Sequence, residues 1–134
     1  MAHKYVLDTH ALVWHLEGNP RLGLEAKKVI DDPLSSLVLP IIALAEAAYI
    51  VEHERTAIPR VSDLLRSVSA DARISICPIT WEVFEKSLEA SVLPEMHDRL
   101  IVGSAPHLQS LGDTISLLTK DASIVQARLV TTVW

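Results

Sequence analysis

Four carboxylates are set where an acid is costly or where a sheet would deliver it to one edge. Asp8 closes the apolar run Tyr5-Val6-Leu7 and is followed by Thr9-His10. Asp98 opens His97-Asp98-Arg99-Leu100-Ile101, and Asp121 follows Leu118-Thr119-Lys120. Glu46 is the lone charge in Pro40-Ile41-Ile42-Ala43-Leu44-Ala45-Glu46-Ala47-Ala48-Tyr49-Ile50-Val51. A carboxylate in such a run is expected to be buried, and a buried one must be paired, protonated or bound to metal. The nearest basic residue in sequence, Arg55, lies nine positions on. Each acid also has an ordinary reading: Asp8, Asp98 and Asp121 suit helix N-caps, and Glu46 suits an ion pair with a distant Arg. Taken together they suggest chemistry, because clustered carboxylates repel unless a divalent cation neutralises them. No Cys or His set has zinc spacing, so an all-oxygen site for a hard cation is expected, Mg²⁺ or Mn²⁺.

The elements that must position these acids alternate. Short aliphatic runs at Lys4–Leu7, Ser36–Leu39, Arg73–Ile76, Ile115–Leu118 and Leu129–Val133 read as strands. Between them, Thr9–Leu16 reads as a helix ending at Gly18, Leu24–Asp31 as an amphipathic helix, and Ile41–Arg55 as a long, deeply buried one. Pro59–Val68 reads as a helix with Pro59 in its first turn, and Thr80–Leu88 as one capped by Thr80. His97–Leu111 is helical but expected to be interrupted at Pro106. Asp121–Gln126 is a short helix. Strands alternating with helices predict an α/β fold, a central mostly parallel sheet flanked by helices. In such sheets ligands bind outside the carboxyl ends of the strands, where Asp8 and Asp121 fall.

Composition bounds the rest. A chain of 134 residues is one domain by size, 1–134. Hydrophobic residues make up 49% and mean hydropathy is +0.28, which excludes disorder on composition. Aromatic residues are only 4%, so the core must be aliphatic, and core packing is the expected place of Trp14 and Trp81, with base stacking the alternative. Cys77 is the single cysteine, which excludes an internal disulfide and reads as a small core residue. The expected compartment is the reducing cytosol. Met1 to Leu7 has no apolar stretch of secretory-signal length, and the longest apolar run is too short and polar to span a bilayer. The net charge of −5 argues against generic nucleic-acid affinity. Setting four metal-bound acids aside leaves thirteen acids against twelve bases, which weakens that objection.

Two metal-dependent phosphotransfer classes fit poorly. A haloacid-dehalogenase phosphatase needs a second Asp two positions after its nucleophile, where this chain has His10. A receiver domain needs an acidic pair at a strand end, whereas Asp31-Asp32 precede Pro33 at a helix end. The segment Leu7-Asp8-Thr9-His10-Ala11-Leu12-Val13-Trp14 instead resembles the opening of a PIN domain, particularly of the VapC toxins of type II toxin–antitoxin pairs. Leu16-Glu17-Gly18-Asn19-Pro20-Arg21-Leu22, Glu46 in its apolar helix, His97-Asp98-Arg99-Leu100-Ile101, Leu118-Thr119-Lys120-Asp121 and the terminal Val133-Trp134 are similar to that family in order and spacing. The chain departs at Gly103, Pro106 and His107, where an Ala-rich helix is common. It departs also in the stretch Gln109–Thr114, and at Pro40-Ile41, where Ser or Thr often precedes the helix.

The resemblance implies a three-layer PIN-like fold, an acidic pocket binding Mg²⁺ or Mn²⁺, endonucleolytic cleavage of RNA, restraint by a cognate antitoxin, and a homodimer. Asp8, Asp98 and Asp121 would hold one or two ions, with Glu46 a ligand or an outer-shell group holding water. Activated water would attack phosphorus in line, leaving 5′-phosphate and 3′-hydroxyl ends. Thr9 and Thr119 would orient carboxylates. Arg99 would contact phosphate or pair with an acid. His10 is read as a packed histidine, with substrate contact the alternative. A catalytically silent module binding RNA or protein is the rival, and single-stranded DNA is the rival substrate.

Overall fold

The computed structural model describes residues 2–134. Five strands form one sheet: β1 (His3–Leu7), β2 (Ser36–Pro40), β3 (Ile74–Cys77), β4 (Thr114–Leu118) and β5 (Thr131–Val133). Their order is β3-β2-β1-β4-β5, and every adjacent pair is parallel. The three central strands are apolar almost continuously, with Val6, Leu7, Leu37, Val38, Leu39, Ile115, Leu117 and Leu118 all buried. That is the pattern of strands covered on both faces. The expected α/β fold with helices flanking a parallel sheet is therefore what forms.

Among the described residues seven helices connect and cover the strands: α1 (Thr9–Glu17), α2 (Leu24–Asp31), α3 (Ile41–Glu52), α4 (Val61–Ala70), α5 (Trp81–Leu88), α6 (Met96–Ser110) and α7 (Ala122–Ala127). The chain moves outward from β1 to β2 and β3, then returns to place β4 on the other side of β1. Right-handed crossovers at such a reversal send the early and late helices to opposite faces. They also open a crevice between the carboxyl ends of β1 and β4. In register, Leu7 pairs with Leu118, so the residues that follow, Asp8 and Thr119, emerge side by side.

Local chemistry sets most boundaries. Gly18 ends α1 at φ 65°, a left-handed conformation that glycine adopts without strain. Glu54 turns left-handed at φ 55°, so α3 stops at Glu52 and does not reach Arg55. Arg60 is extended, and α4 begins at Val61, leaving Pro59 outside it. Arg128 adopts φ 54° after α7, which delays β5 to Thr131.

Four expectations are corrected. α6 runs through Pro106 without interruption. The proline withholds one N–H from the helix, but Ile101, Val102, Gly103, Ser104, Ala105 and Leu108 are all buried around it, and that packing holds the helix together. α3 is not deeply buried: Ala43, Ala47 and Val51 face the core, while Ile41, Ala45 and Tyr49 are exposed. Trp81 is 69% exposed, whereas Trp14 is buried as expected. His10 is exposed, its ring resting 5.2 Å from that of Trp14 at the edge of the core and not within it. Cys77 is buried, and burial raises its thiol pKa, in keeping with a small inert core residue.

Gly103 explains one departure in α6. A Cβ there would lie 2.8 Å from the backbone nitrogen of Ser87 and 2.9 Å from its Cα, because α5 packs directly onto this turn of α6. Backbone leaves little room to yield. Gly103→Ala is expected to destabilise the fold by about 1–3 kcal/mol despite alanine's better helix propensity, read as a lower urea midpoint at unchanged m-value.

Candidate active site

The sheet's carboxyl edge builds the site from four elements. Asp8 directly follows β1 and is the N-cap of α1, its Oδ1 accepting from the backbone N–H of Thr9 at 2.7 Å. Its other oxygen, Oδ2, accepts from the Thr119 hydroxyl at 2.5 Å. The Thr119 hydroxyl oxygen in turn accepts from the backbone N–H of Asp121 at 3.1 Å. Asp121 is the N-cap of α7, accepting from the N–H of Ile124 at 3.1 Å. For Asp8 and Asp121 the cap leaves room for a place in the pocket, since one oxygen caps while the other is free or held elsewhere.

Glu46 comes from α3. Its Oε1 accepts from the Thr9 hydroxyl at 3.0 Å, and its Oε2 lies 3.6 Å from Nδ1 of His97. The side chain is 31% exposed. The buried position expected for Glu46 is therefore only half realised, because the helix is open on one side. Asp98 lies in the first turn of α6, whose N-cap is Glu95, so Asp98 caps nothing. Both threonines are buried, Thr9 at 3% and Thr119 at 1% exposure, and each fixes one carboxylate.

These groups line one cavity of about 220 Å³ with Asp8, Thr9, His10, Glu46, Asp98, Lys120, Asp121 and Trp134 on its walls. All four sequence-selected acids are brought together. Arg99 is not: its guanidinium donates to the carbonyls of Leu93 at 2.5 Å and Ser91 at 3.0 Å, tying down the loop before α6. His10, for which substrate contact is the alternative reading of the sequence, lines the cavity, as do Lys120 and Trp134, to which that reading gives no role in the site. Lys120 was findable, standing between Thr119 and Asp121. Trp134 was not, because only the register Leu118↔Val133 carries the end of the chain to this edge.

The electrostatics are those of a crowded acidic pocket. Burial raises the pKa of Asp8 above the usual carboxylate range, opposed by the hydrogen bonds from Thr119 and Thr9. Asp98 is pushed up to about 6, by burial first and then by the negative charges of Asp121, Asp8 and Glu46. Among the described residues no three His, Cys, Asp or Glu side chains already close on one point as an ion cage. The donor set nevertheless fits Mg²⁺ or Mn²⁺, since Mg²⁺ keeps several waters and needs only one or two carboxylates. A divalent ion would also relieve the repulsion that raises Asp98.

A family model described as the PIN domain matches residues 5–128. The chain belongs to the PIN domain family. Comparison with curated protein sequences yields no match. Among solved structures, this PIN domain is similar to a chain of a toxin–antitoxin complex from Klebsiella pneumoniae, with TM-score 0.67 and 17% identity over 96% of this chain and 97% of that one. It is also similar to VapC20 of Mycobacterium tuberculosis, a Sarcin-Ricin loop cleaving toxin, with TM-score 0.66 and 13% identity over 95% and 97%. At such identities the likeness is one of fold. No helix among the described residues is long and apolar enough to cross a membrane.

The pKa of Asp98 sets a pH dependence for the metal-free PIN domain. A folded-state value near 6 against 3.8 unfolded means that the folded protein holds this proton more tightly. Stability is then highest below pH 4 as far as this group is concerned, and falls as pH rises through about 6. Thermal melts in EDTA between pH 4 and 7 should show that decline. Asp98→Asn should flatten it and raise Tm at pH 7, while added Mg²⁺ should restore the wild-type Tm.

Proposed function

We propose that this PIN domain, acting as a single domain, is a Mg²⁺- or Mn²⁺-dependent endoribonuclease and the toxin of a VapBC-type pair. The observation that carries this reading is the convergence of Asp8, Glu46, Asp98 and Asp121, from four separate elements, on one cavity at the sheet's carboxyl edge. The PIN family match and the likeness to an RNA-cleaving toxin support it.

Asp8, Asp98 and Asp121 would hold the cation or cations, and Glu46 would ligate or hold an outer-shell water. When bound, the ion supplies an activated water nucleophile and charge neutralisation at phosphorus. Thr119 keeps Asp8 turned into the pocket and ties it to the backbone of Asp121. Thr9 keeps Glu46 aimed at the same space. Burial of these two hydroxyls protects their bonds from water, which is how outer-shell groups tune a metal site. Attack by water leaves 5′-phosphate and 3′-hydroxyl ends.

A catalytically silent binding module is less well supported, because such a module has no need of four converging carboxylates. The same reading places the protein in the cytoplasm with an antitoxin as partner, in line with the toxin–antitoxin complex it resembles in fold. A homodimer also belongs to it, and the exposed apolar face of α5, with Trp81 at 69%, Phe84 at 41% and Leu88 at 57%, suits a subunit contact.

The test is cleavage of a structured RNA mixture with Mg²⁺, Mn²⁺ or EDTA. Cleavage is expected with either metal, none with EDTA, and none from Asp8→Asn or Asp98→Asn. Metal-dependent cleavage surviving in either variant would overturn that acid's role. Failure of the wild type both to cut and to bind Mn²⁺ by calorimetry would overturn the nuclease reading. Thr119→Val should lower kcat/KM or metal affinity by about 10- to 100-fold through the lost orientation of Asp8, and should also lower Tm, because the Asp121 N–H loses its acceptor.

A further inference from the structure

The twelve lysines and arginines of this chain are unequally engaged. Lys4, Lys27, Lys28, Arg60, Arg66, Arg73 and Lys86 each pair with a carboxylate. Arg99 is taken up by two carbonyls. Among the described residues four cations then have no ion pair: Arg21, Arg55, Lys120 and Arg128. Three of these four lie together. Lys120 lines the carboxylate pocket, and Arg21 and Arg55 line a second groove of about 400 Å³ that shares His10 with it.

One buried ring organises this face. Lys120 Nζ sits 4.6 Å from the centre of Trp14, and the Arg21 guanidinium carbon 5.9 Å from it. His10 packs on the same ring at 5.2 Å and Trp134 edge-on at 5.8 Å. Trp134 has its own seat, since its backbone carbonyl accepts from the N–H of Glu25 and a Cβ at Gly23 would fall 2.5 Å from it. Cation–π contact holds Lys120 and Arg21 in place without neutralising them. The groove's one carboxylate, Glu17, accepts from the Thr56 hydroxyl at 2.6 Å, the Ala57 N–H at 2.8 Å and Asn19 Nδ2 at 3.0 Å. It is thereby committed to holding a loop.

On a chain of net charge −5, unpaired cations gathered beside an acidic pocket ask for an anionic partner that passes both. We propose that the Arg21–Arg55 groove continues the carboxylate pocket as the track for single-stranded RNA. Lys120, Arg21 and Arg55 bind successive phosphates flanking the cleaved bond. Trp14 is the platform that positions two of the three. This deepens the RNA-cutting reading of the pocket and rests on it. Lys120 and Arg21, already held on Trp14, lose little freedom when the strand arrives, which favours affinity.

The test uses Arg21→Gln, Arg55→Gln and Lys120→Gln, singly and combined, with Arg128→Gln as the unpaired cation outside the groove. Arg21, Arg55 and Lys120 are all exposed, so the fold should survive, and thermal melts check this. The probe is fluorescein-labelled oligouridine in EDTA, followed by anisotropy across a salt series. Each single variant is expected to weaken binding and to lower the slope of log Kd against log salt by about 0.7; the triple variant should lose about tenfold or more at low salt. Arg128→Gln should change neither quantity.

An unchanged slope in the triple variant, or an equal loss in Arg128→Gln, would overturn the track. So would tight binding of labelled oligoglutamate in place of oligouridine, which would make the groove a seat for an acidic protein segment. The two readings fail separately. Metal-dependent cleavage whose kcat/KM and salt slope are untouched in the triple variant would remove the track and leave the nuclease. RNA binding lost in the triple variant, from a wild type that never cuts, would do the reverse.

Discussion

The hydroxyl of Thr119 joins two strands that are 111 residues apart in sequence, donating to Asp8 after β1 and accepting from the backbone of Asp121 after β4. It has these partners only because β1 and β4 lie side by side in parallel with Leu7 opposite Leu118. A slip of one residue would turn Asp8 or Thr119 to the other face of the sheet. The continuous apolar character of both strands does not by itself forbid such a slip. Side-chain shape in the core and the caps that begin α1 and α7 on the following residues do. The acidic pocket is therefore a property of register, and each other part of the site is built around that edge.

The pocket is also where the fold is least at ease. Burial raises the pKa of Asp8, and neighbouring carboxylates add to burial in raising that of Asp98. Such groups oppose folding at neutral pH in the absence of a cation. For Asp8 the cost is partly offset, because the same carboxylate is the N-cap of α1 and accepts from Thr9 and Thr119. Around the rim, Trp14 gathers Lys120, Arg21, His10 and Trp134 on one ring. Positive charge is thus held close to the acids without closing an ion pair that would quench them.

Several elements show how far local pattern reaches. The amphipathic helix Leu24–Asp31 and the Thr80 cap are where the pattern puts them, since periodicity and capping are local effects. α3 defeated the pattern because a helix apolar on most of its circumference carries no sign of which side faces water, and packing against α1, α6 and α4 buries only its small side. Pro106 defeated it because a proline's cost of about 3 kcal/mol is smaller than what the packing of the surrounding turns of α6 provides. Trp81 defeated it because a large apolar residue at helical spacing can also serve an outer face.

By itself the sequence determined the α/β class and the five strands within a few residues, and it singled out the four acids that line one cavity and the threonines bonded to two of them. These are legible because hydrophobic periodicity, capping preference and the cost of an isolated carboxylate act over a few residues at a time. Only the tertiary structure decided that Glu46 is half open, that Arg99 turns away, and that Trp134 returns to the site. It also decided which cations stay unpaired and that they share one face. Those facts depend on strand order, register and helix packing, which bring together residues that no local pattern connects.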